Sequence, residues 1–274
     1  MTRPKKISTR NTTKNNQISK SEIKKSPIWH EEFTWKIRVV LYYVALGTIT
    51  FIYLLPLLAL SLVGSGYDMR YSVARSYAWA FVEVTRLICN IDYEIEGLDT
   101  LPKGPAIIMS NHQSFWDNVI MPHIFPKQSW VIKRELFNIP VFGLGLRLVD
   151  PIAVDRSDNS SIKQILQMGA EKIATGLWLV IFPEATRVPV ARRAKLKPSG
   201  VKLAQDTGAP IVLMAHNAGT FWPKGFWIKK PGTIKAKIGP VIKVKETDDI
   251  RLVTQEIEDW MVREKDILSG VVSK

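Results

Sequence analysis

A histidine and an aspartate lie within about one helical turn of each other in the segment Asn111-His112-Gln113-Ser114-Phe115-Trp116-Asp117. The apolar residues just before the segment predict a buried strand that ends here, and a helix is expected to follow. A histidine at such a corner can turn one ring nitrogen toward Asp117, which fixes the tautomer and leaves the other nitrogen free as a base. The alternative interpretation is structural, with a helix-capping Asn111 beside a satisfied, half-buried His112.

A second group of candidate residues follows the apolar run Leu177–Phe182. This run is typical of a central parallel strand, and it ends at once in Pro183-Glu184-Ala185-Thr186-Arg187. In open α/β sheets, functional groups gather at the carboxyl ends of the strands. We therefore expect Glu184 and Arg187 to lie beside His112.

The two segments together resemble the signature of a known family. Asn-His-Gln-Ser-x-x-Asp followed by Phe-Pro-Glu-x-Thr-Arg is similar to the glycerolipid acyltransferase family that includes the 1-acylglycerol-3-phosphate acyltransferases. Two weaker family blocks, Ile152–Arg156 and Ala209–Met214, occur in the same order. The similarity runs from about Tyr93 to Ile242. Ala185 departs from the family pattern, which usually has glycine there.

The resemblance implies an acyltransferase that moves a fatty acyl group from an acyl-CoA or acyl-carrier-protein thioester to the sn-2 hydroxyl of 1-acyl-glycerol-3-phosphate, giving phosphatidic acid. His112 would deprotonate the hydroxyl, and Asp117 would orient His112. The family blocks assign Arg156 and Arg187 to phosphate binding. Another lysolipid, glycerol 3-phosphate or an amino-lipid remains open as the acceptor, and a non-catalytic membrane-binding protein is the alternative from a different class.

Further residues are expected to bind substrate. Lys133 is the last residue of a predicted strand and a candidate phosphate ligand, although a lysine lacks the planar fork that suits arginine to phosphate. Glu184 is expected either to orient acceptor hydroxyls or to hold its loop together through Thr186 and nearby amides. Asn217 and His216 end another predicted strand and are expected to line the pocket. A second general base at His216 is disfavoured, because no carboxylate lies close to it in the sequence.

Composition narrows the class of protein. The formal charge is +13, and residues 1–38 carry ten Lys and Arg against three Asp and Glu. No basic-aromatic interleaving or DNA-binding helix pair accompanies this charge, so membrane lipids are favoured over nucleic acid as the partner. The lone Cys89 is expected to be a reduced, buried thiol. No zinc-type spacing and no glycine-rich nucleotide loop is present, so no metal and no cofactor is expected.

The amino-terminal part predicts a membrane attachment. Residues 1–28 form a basic, polar tail that we expect to be disordered, and residues 29–91 are expected to form membrane-anchoring helices. No charged residue occurs from Val39 to Gly66, which is long enough to cross a bilayer, but Pro56 is expected to break the helix. Family resemblance favours a hairpin that re-enters the same face. The protein is then membrane-associated with its catalytic domain facing the cytoplasm, at the inner membrane if bacterial.

Residues 92–274 predict an α/β domain with a mostly parallel central sheet under helical cover, because short apolar runs alternate with helical patterns. The predicted strands are Tyr93–Glu96, Ala106–Ser110, Ser129–Lys133, Ile152–Asp155, Leu177–Phe182, Pro210–His216 and Thr233–Ile238. The predicted helices are Ser114–Phe125, Pro140–Leu148, Ser160–Thr175, Pro198–Thr207 and Asp249–Leu268.

Overall fold

The computed structural model of the protein describes residues 28–155 and 161–271, with side chains from Trp35 onward. The predicted basic tail, apart from Ile28, and the candidate phosphate ligand Arg156 lie outside the described residues.

The described chain folds into one sheet with helices on both faces. Its helices are α1 Ile28–Leu62, α2 Tyr67–Cys89, α3 Trp116–Ile124, α4 Phe142–Leu148, α5 Ser161–Ala174, α6 Ser199–Thr207, α7 Ala218–Phe221 and α8 Ile250–Leu268. Its strands are β1 Ile91–Glu96, β2 Ile107–Ser110, β3 Gln128–Lys133, β4 Ile152–Val154, β5 Trp178–Ile181, β6 Ile211–His216 and β7 Gly232–Ile242.

The strands lie in the order β1-β7-β6-β2-β5-β3-β4. Strand β7 runs antiparallel to β6, and the other neighbours in the sheet are parallel. Each predicted strand corresponds to an observed one, and the prediction of a mostly parallel α/β sheet is confirmed. The short helix α7 was not predicted.

Two hydrophobic layers enclose the central strands. Ile108 of β2 packs in a cluster with residues of α1, α2 and α3, such as Tyr42 and Phe81, while its neighbour Ile107 packs with residues of α5, α6 and α8, such as Leu203. Strand β2 is fully buried because both of its faces are covered, as in other parallel sheets. The end of β2, where His112 lies, is therefore held by the core from both sides.

The two amino-terminal helices pack on the domain and on each other. Helix α1 continues through Pro56 without a break, so the predicted interruption is wrong. Proline removes one backbone hydrogen bond from the helix, but Leu54 and Leu57 on either side of it are buried. We infer that this packing holds the helix together across Pro56. The chain then reverses at Gly64, which has φ +67 and can adopt that angle because it lacks a Cβ.

Helix α2 is a packing helix. Tyr71, Phe81 and Val82 are buried between α2 and its neighbours α1 and α3. By length and composition, one helix of the described chain is apolar enough to cross a membrane, over Trp35–Leu62.

Candidate active site

The site is built around His112, which follows β2, and Asp117, in the first turn of α3. The Nδ1 atom of His112 lies 3.0 Å from Oδ2 of Asp117. The same oxygen accepts the backbone N–H groups of Gln113 at 2.7 Å and Ser114 at 2.9 Å. Because an ionised carboxylate can only accept hydrogen bonds, Nδ1 of His112 carries the proton and Nε2 is left as the basic nitrogen.

Asp117 is ionised in this environment despite being fully buried. Burial by itself raises the pKa of the carboxyl group, but His216, His112 and the Ser114 amide together outweigh it, and the net pKa is lowered. The pair can therefore act as a general base in which the carboxylate fixes the tautomer of the imidazole.

The loop after β5 fixes the position of His112. The ring of Phe182 stacks on the His112 ring with the centroids 4.3 Å apart. The backbone N–H of His112 donates to Oε2 of Glu184 at 2.8 Å, and its carbonyl accepts the N–H of Val188 at 2.7 Å. Both backbone polar groups of His112 are thus bound by the segment that the sequence predicted would lie beside it.

Glu184 has an unusual protonation equilibrium. Its pKa is raised from 4.5 to about 7, mainly by burial. The hydrogen bond from His112 and the charge of Lys265 lower the pKa, whereas the charge of Asp117 raises it further. Near neutral pH the carboxyl group therefore exists in both protonation states. Two roles were predicted for Glu184, and its hydrogen bond with His112 agrees with the role of holding the loop in place. The amide that it binds belongs to His112, which follows β2, and not to its own loop.

The turn that carries Glu184 has a strained residue. Ala185 has φ +57, a left-handed conformation that suits glycine, and its N–H donates to the carbonyl of Phe182 at 2.9 Å. An alanine in this conformation costs about 1–2 kcal/mol relative to a right-handed one. The alanine that stands in place of the family's glycine thus adopts a conformation that glycine would adopt without strain.

His112 opens onto a cavity of about 590 Å³ that lies between the amino-terminal helices and the sheet. Its polar lining includes Lys133, Thr186, Arg187 and Lys224. The remainder is largely apolar, with residues from α1, α2, β3 and α4: Leu54, Leu57, Ala74, Ala78, Ile132, Phe142, Leu146. The volume is in the range of small-molecule sites.

The structure brings most of the predicted site residues together. Lys133, Thr186 and Arg187 line the cavity with His112, and Nζ of Lys133 also lies 2.8 Å from the carboxylate of Glu135. Among the described residues, no group of three or more His, Cys, Asp and Glu is arranged to hold a metal ion. The expected absence of a metal stays a prediction.

Asn217 does not reach the cavity. It is buried, its Nδ2 donates to the carbonyl of Leu268 at 2.7 Å, and its Oδ1 accepts the N–H of Lys235 at 2.8 Å. Both polar atoms of its amide are therefore engaged in joining β6 to β7 and to the end of α8. The pocket-lining role predicted for Asn217 is not supported by this geometry, and we leave the residue out of the binding set proposed below.

Comparison with known proteins identifies the family. The acyltransferase family model matches residues 92–217. The 1-acyl-sn-glycerol-3-phosphate acyltransferase of Pseudomonas aeruginosa is 37% identical over 236 residues, which cover 82% of this chain and 89% of that protein. The chain belongs to the 1-acyl-sn-glycerol-3-phosphate acyltransferase family. The resemblance inferred from the two motifs is confirmed, and the protein is an acyltransferase.

Two further members of the family are similar over most of the chain. The 1-acyl-sn-glycerol-3-phosphate acyltransferase of Saccharomyces cerevisiae is 27% identical over 239 residues, 84% of this chain and 77% of that protein. The crystal structure of the 1-acyl-sn-glycerophosphate (LPA) acyltransferase from Thermotoga maritima superposes with a TM-score of 0.71 at 22% identity, covering 88% of this chain and all of that one. This structural match supports the fold.

Two features of this acyltransferase were not foreseen from its sequence. Helices α1 and α2 line the cavity through residues such as Tyr53 and Tyr77, whereas the sequence predicted membrane-anchoring helices here and gave no sign that they take part in the site. His216 was expected to line the pocket, but it is fully buried, with Nε2 3.6 Å from Oδ1 of Asp117. The nearby carboxylate that His216 lacks in the sequence is supplied by Asp117, in the first turn of α3. Helix α1 is apolar on all sides, so its sequence carries no signal for the packed face, and nothing local signals the contact of His216.

Proposed function

We propose that the protein transfers a fatty acyl group from an acyl-CoA or acyl-carrier-protein thioester to the sn-2 hydroxyl of 1-acyl-glycerol-3-phosphate, giving phosphatidic acid. One observation carries the proposal: an oriented His112–Asp117 pair opens onto an apolar cavity that also has cationic side chains in its lining. The names of the similar proteins in Pseudomonas and yeast support the same acceptor.

The proposed reaction needs one base and no covalent enzyme intermediate. A neutral alcohol is a weak nucleophile, so the acceptor hydroxyl must lose its proton as it reacts. Nε2 of His112 takes this proton while the hydroxyl oxygen attacks the thioester carbonyl. The C–O bond forms, the tetrahedral intermediate breaks its C–S bond, and the imidazolium returns the proton to the leaving thiolate. Asp117 stabilises the imidazolium between these steps.

Cations in the cavity lining suit a phosphorylated acceptor. Arg187 can donate two parallel hydrogen bonds to a phosphate, and Lys133 and Thr186 lie in the same cavity. We propose the same role for Arg156 on the basis of its family block. Glu184 acts in this scheme by holding His112, and the apolar part of the cavity accommodates an acyl chain. No cofactor takes part.

We propose that the protein is membrane-associated through residues 29–91 and that residues 92–274 form the catalytic domain. Large apolar side chains on the outer side of α1, including Val44, Phe51 and Leu55, are more than half exposed. Phe226 and Trp227 on the loop before β7 are also exposed, and exposed aromatic residues of this kind favour membrane interfaces. A catalytic domain facing the cytoplasm, at the inner membrane of a bacterium, would meet the soluble thioester donors.

An acceptor panel tests the function. Purified protein is given one acyl thioester and, in separate reactions, 1-acyl-glycerol-3-phosphate, other lysophospholipids, glycerol 3-phosphate and an amino-lipid, and the release of thiol is followed. We expect the highest kcat/KM with 1-acyl-glycerol-3-phosphate, and thiol release by the His112→Ala variant that is slower by about 10²–10⁴-fold. A higher kcat/KM with another acceptor would identify that acceptor as the substrate instead. If no acceptor gives thiol release, the non-catalytic alternative is favoured.

A further inference from the structure

His216 lies behind the catalytic pair, on the side away from the cavity. It ends β6, is fully buried, and packs edge-on against the ring of Trp116 with the centroids 5.7 Å apart. Its Nε2 lies 2.8 Å from the backbone carbonyl of Asn111 and 3.6 Å from Oδ1 of Asp117. A buried histidine thus faces the carboxylate oxygen that His112 does not use.

The hydrogen bonds of the His216 ring determine its tautomer. The backbone N–H of Ala218 donates to Nδ1 at 3.3 Å, so Nδ1 is an acceptor and the proton is on Nε2. The Nε2–H group therefore donates to the Asn111 carbonyl, and Oδ1 of Asp117 lies 3.6 Å from the same nitrogen. Burial also lowers the pKa of His216, which agrees with a neutral ring that acts as a hydrogen-bond donor.

The two oxygens of Asp117 are in unequal positions. Oδ2 accepts three hydrogen bonds, from His112, Gln113 and Ser114. Oδ1 is buried and has no hydrogen-bond partner among the described residues. A buried carboxylate oxygen without a donor is unfavourable, so a polarised N–H at 3.6 Å stabilises the carboxylate charge even beyond hydrogen-bond length.

We propose that His216 is a positioning residue for acyl transfer, which holds Asp117 ionised and oriented so that Oδ2 is presented to His112. The inference rests on the proposed function, because His216 acts only through the His112–Asp117 pair. It assigns the end of β6 a part in the reaction that neither of the two recognised motifs contains.

Other contacts between these strand ends do not depend on the His216 side chain. The side chain of Asn111 accepts the backbone N–H of His216 at 2.9 Å and donates to its carbonyl at 3.0 Å. Gln113 likewise accepts the N–H of Gly219 at 3.0 Å. Substituting the imidazole therefore leaves the backbone connection between β2 and β6 in place.

Several titratable groups surround the carboxylate and bear on its pH dependence. Asp117 is faced by His112 from the end of β2, by His216 from β6 and by Glu184 from the loop after β5. Lys265 of α8 acts on Glu184 in turn. The His216 substitution removes the donor on the Oδ1 side, together with the hydrogen bonds of the ring to the Asn111 carbonyl and the Ala218 N–H, and it leaves the other titratable groups in place.

The test uses the full-length protein with His216→Met and His216→Gln, which have similar bulk and differ in whether an N–H can be placed near Oδ1. For His216→Met we expect kcat to fall on the order of tenfold with the acceptor KM unchanged, since tenfold corresponds to about 1.4 kcal/mol of transition-state stabilisation. The acidic limb of the kcat/KM profile should move up by about one unit or less, because a poorly stabilised carboxylate makes the pair hold its proton more tightly. His216→Gln should recover most of both properties.

A core variant separates positioning from stability. Met261→Ala truncates a buried residue of α8 in the layer on the other face of the sheet, so it should lower the melting temperature and leave the pH profile unchanged. The positioning role is wrong if His216→Met behaves like Met261→Ala, that is, if its folded fraction keeps the wild-type kcat and the wild-type acidic limb. The role is also wrong if His216→Gln fails to restore the kcat and the acidic limb that His216→Met changes. His112→Ala, assayed alongside, separates the two proposals: retained turnover there would refute the base itself, whereas loss there with an unaffected His216→Met would refute only the role of His216.

Discussion

The carboxyl group of Glu184 accepts the backbone N–H of His112 at 2.8 Å, although 72 residues separate the two in the chain. The contact joins the ends of β2 and β5, which are neighbours in the sheet. The position of the proposed base thus depends on a group whose protonation changes near neutral pH. The stability of the fold should depend on pH for the same reason.

Replacing Glu184 with Gln should remove this pH dependence. Burial raises the pKa of Glu184 to about 7 from 4.5, so between these values the folded protein binds a proton that the unfolded chain has released. A raised acid pKa makes the free energy of unfolding decrease as pH rises through this window and level off above it. The difference in melting temperature, Glu184→Gln minus parent, should therefore increase from about pH 4.5 to about pH 7 and stay constant above that. Parallel curves for the two proteins would contradict the shift.

Loss of either member of the catalytic pair should abolish most activity. His112→Ala is expected to lower turnover by about 10²–10⁴-fold, as is typical when a general base is removed. Asp117→Asn should also be severely impaired, because the amide lacks the charge that stabilises the imidazolium and can present a donor to Nδ1. Thiol release measures the effect and circular dichroism checks the fold. Normal turnover by His112→Ala would refute the mechanism.

Arg187→Lys should mainly raise the KM for the acceptor. The charge remains, but the fork that donates two parallel bonds to a phosphate is lost. Arg156→Lys should behave in the same way, and the donor KM should change little in both. Arg251→Lys is the matched control, since its side chain is 91% exposed on α8 and it should leave all constants unchanged. An unaltered acceptor KM in both site variants would assign these arginines another role.

The sequence predicted those parts of the site that depend on local spacing. His112 and Asp117 meet within one turn, and Glu184 and Arg187 follow a strand whose apolar composition indicated the sheet centre, so both segments could be expected at one edge. Contacts between distant strand ends could not be foreseen in this way. The pairing of Asn111 with His216 spans 105 residues, and whether a side chain at the end of β6 turns toward the cavity or behind the pair depends on packing against Trp116.

Ala185→Gly should stabilise the protein slightly. Relief of the left-handed conformation gains about 1–2 kcal/mol, whereas glycine adds conformational freedom to the unfolded chain that costs about 0.4–1 kcal/mol. The first effect is larger, so the free energy of unfolding should rise by about 0.5–1 kcal/mol in denaturant titrations. Ala191→Gly, at an exposed loop position without a positive φ, serves as the control and should not stabilise. A destabilised Ala185→Gly would mean that the turn is not strained.

The packing of α1 predicts the membrane topology. Basic residues before Val39 favour a cytoplasmic amino terminus, so a single full span would put the catalytic domain on the opposite side from the soluble donors. The structure offers another arrangement, because α1 contacts the domain over much of its length: Trp35 donates to the carbonyl of Lys229, Tyr43 donates to that of Phe226, and Leu57 is buried. At about 1.5 Å per residue these contacts extend over roughly 33 Å of helix. A helix held in this way cannot cross the bilayer without leaving the domain.

We therefore predict that Val39–Asn90 lies on one face of the membrane, with residues 1–38 and the catalytic domain on the same cytoplasmic side. Cysteine is introduced at Ser8 and, separately, at the exposed Lys103 in a Cys89→Ser background, and sealed vesicles are treated with a membrane-impermeant thiol reagent. Both sites should react from the cytoplasmic side and be protected from the other. Reaction from opposite sides would establish a full span, and labelling after detergent solubilisation verifies that both thiols are accessible.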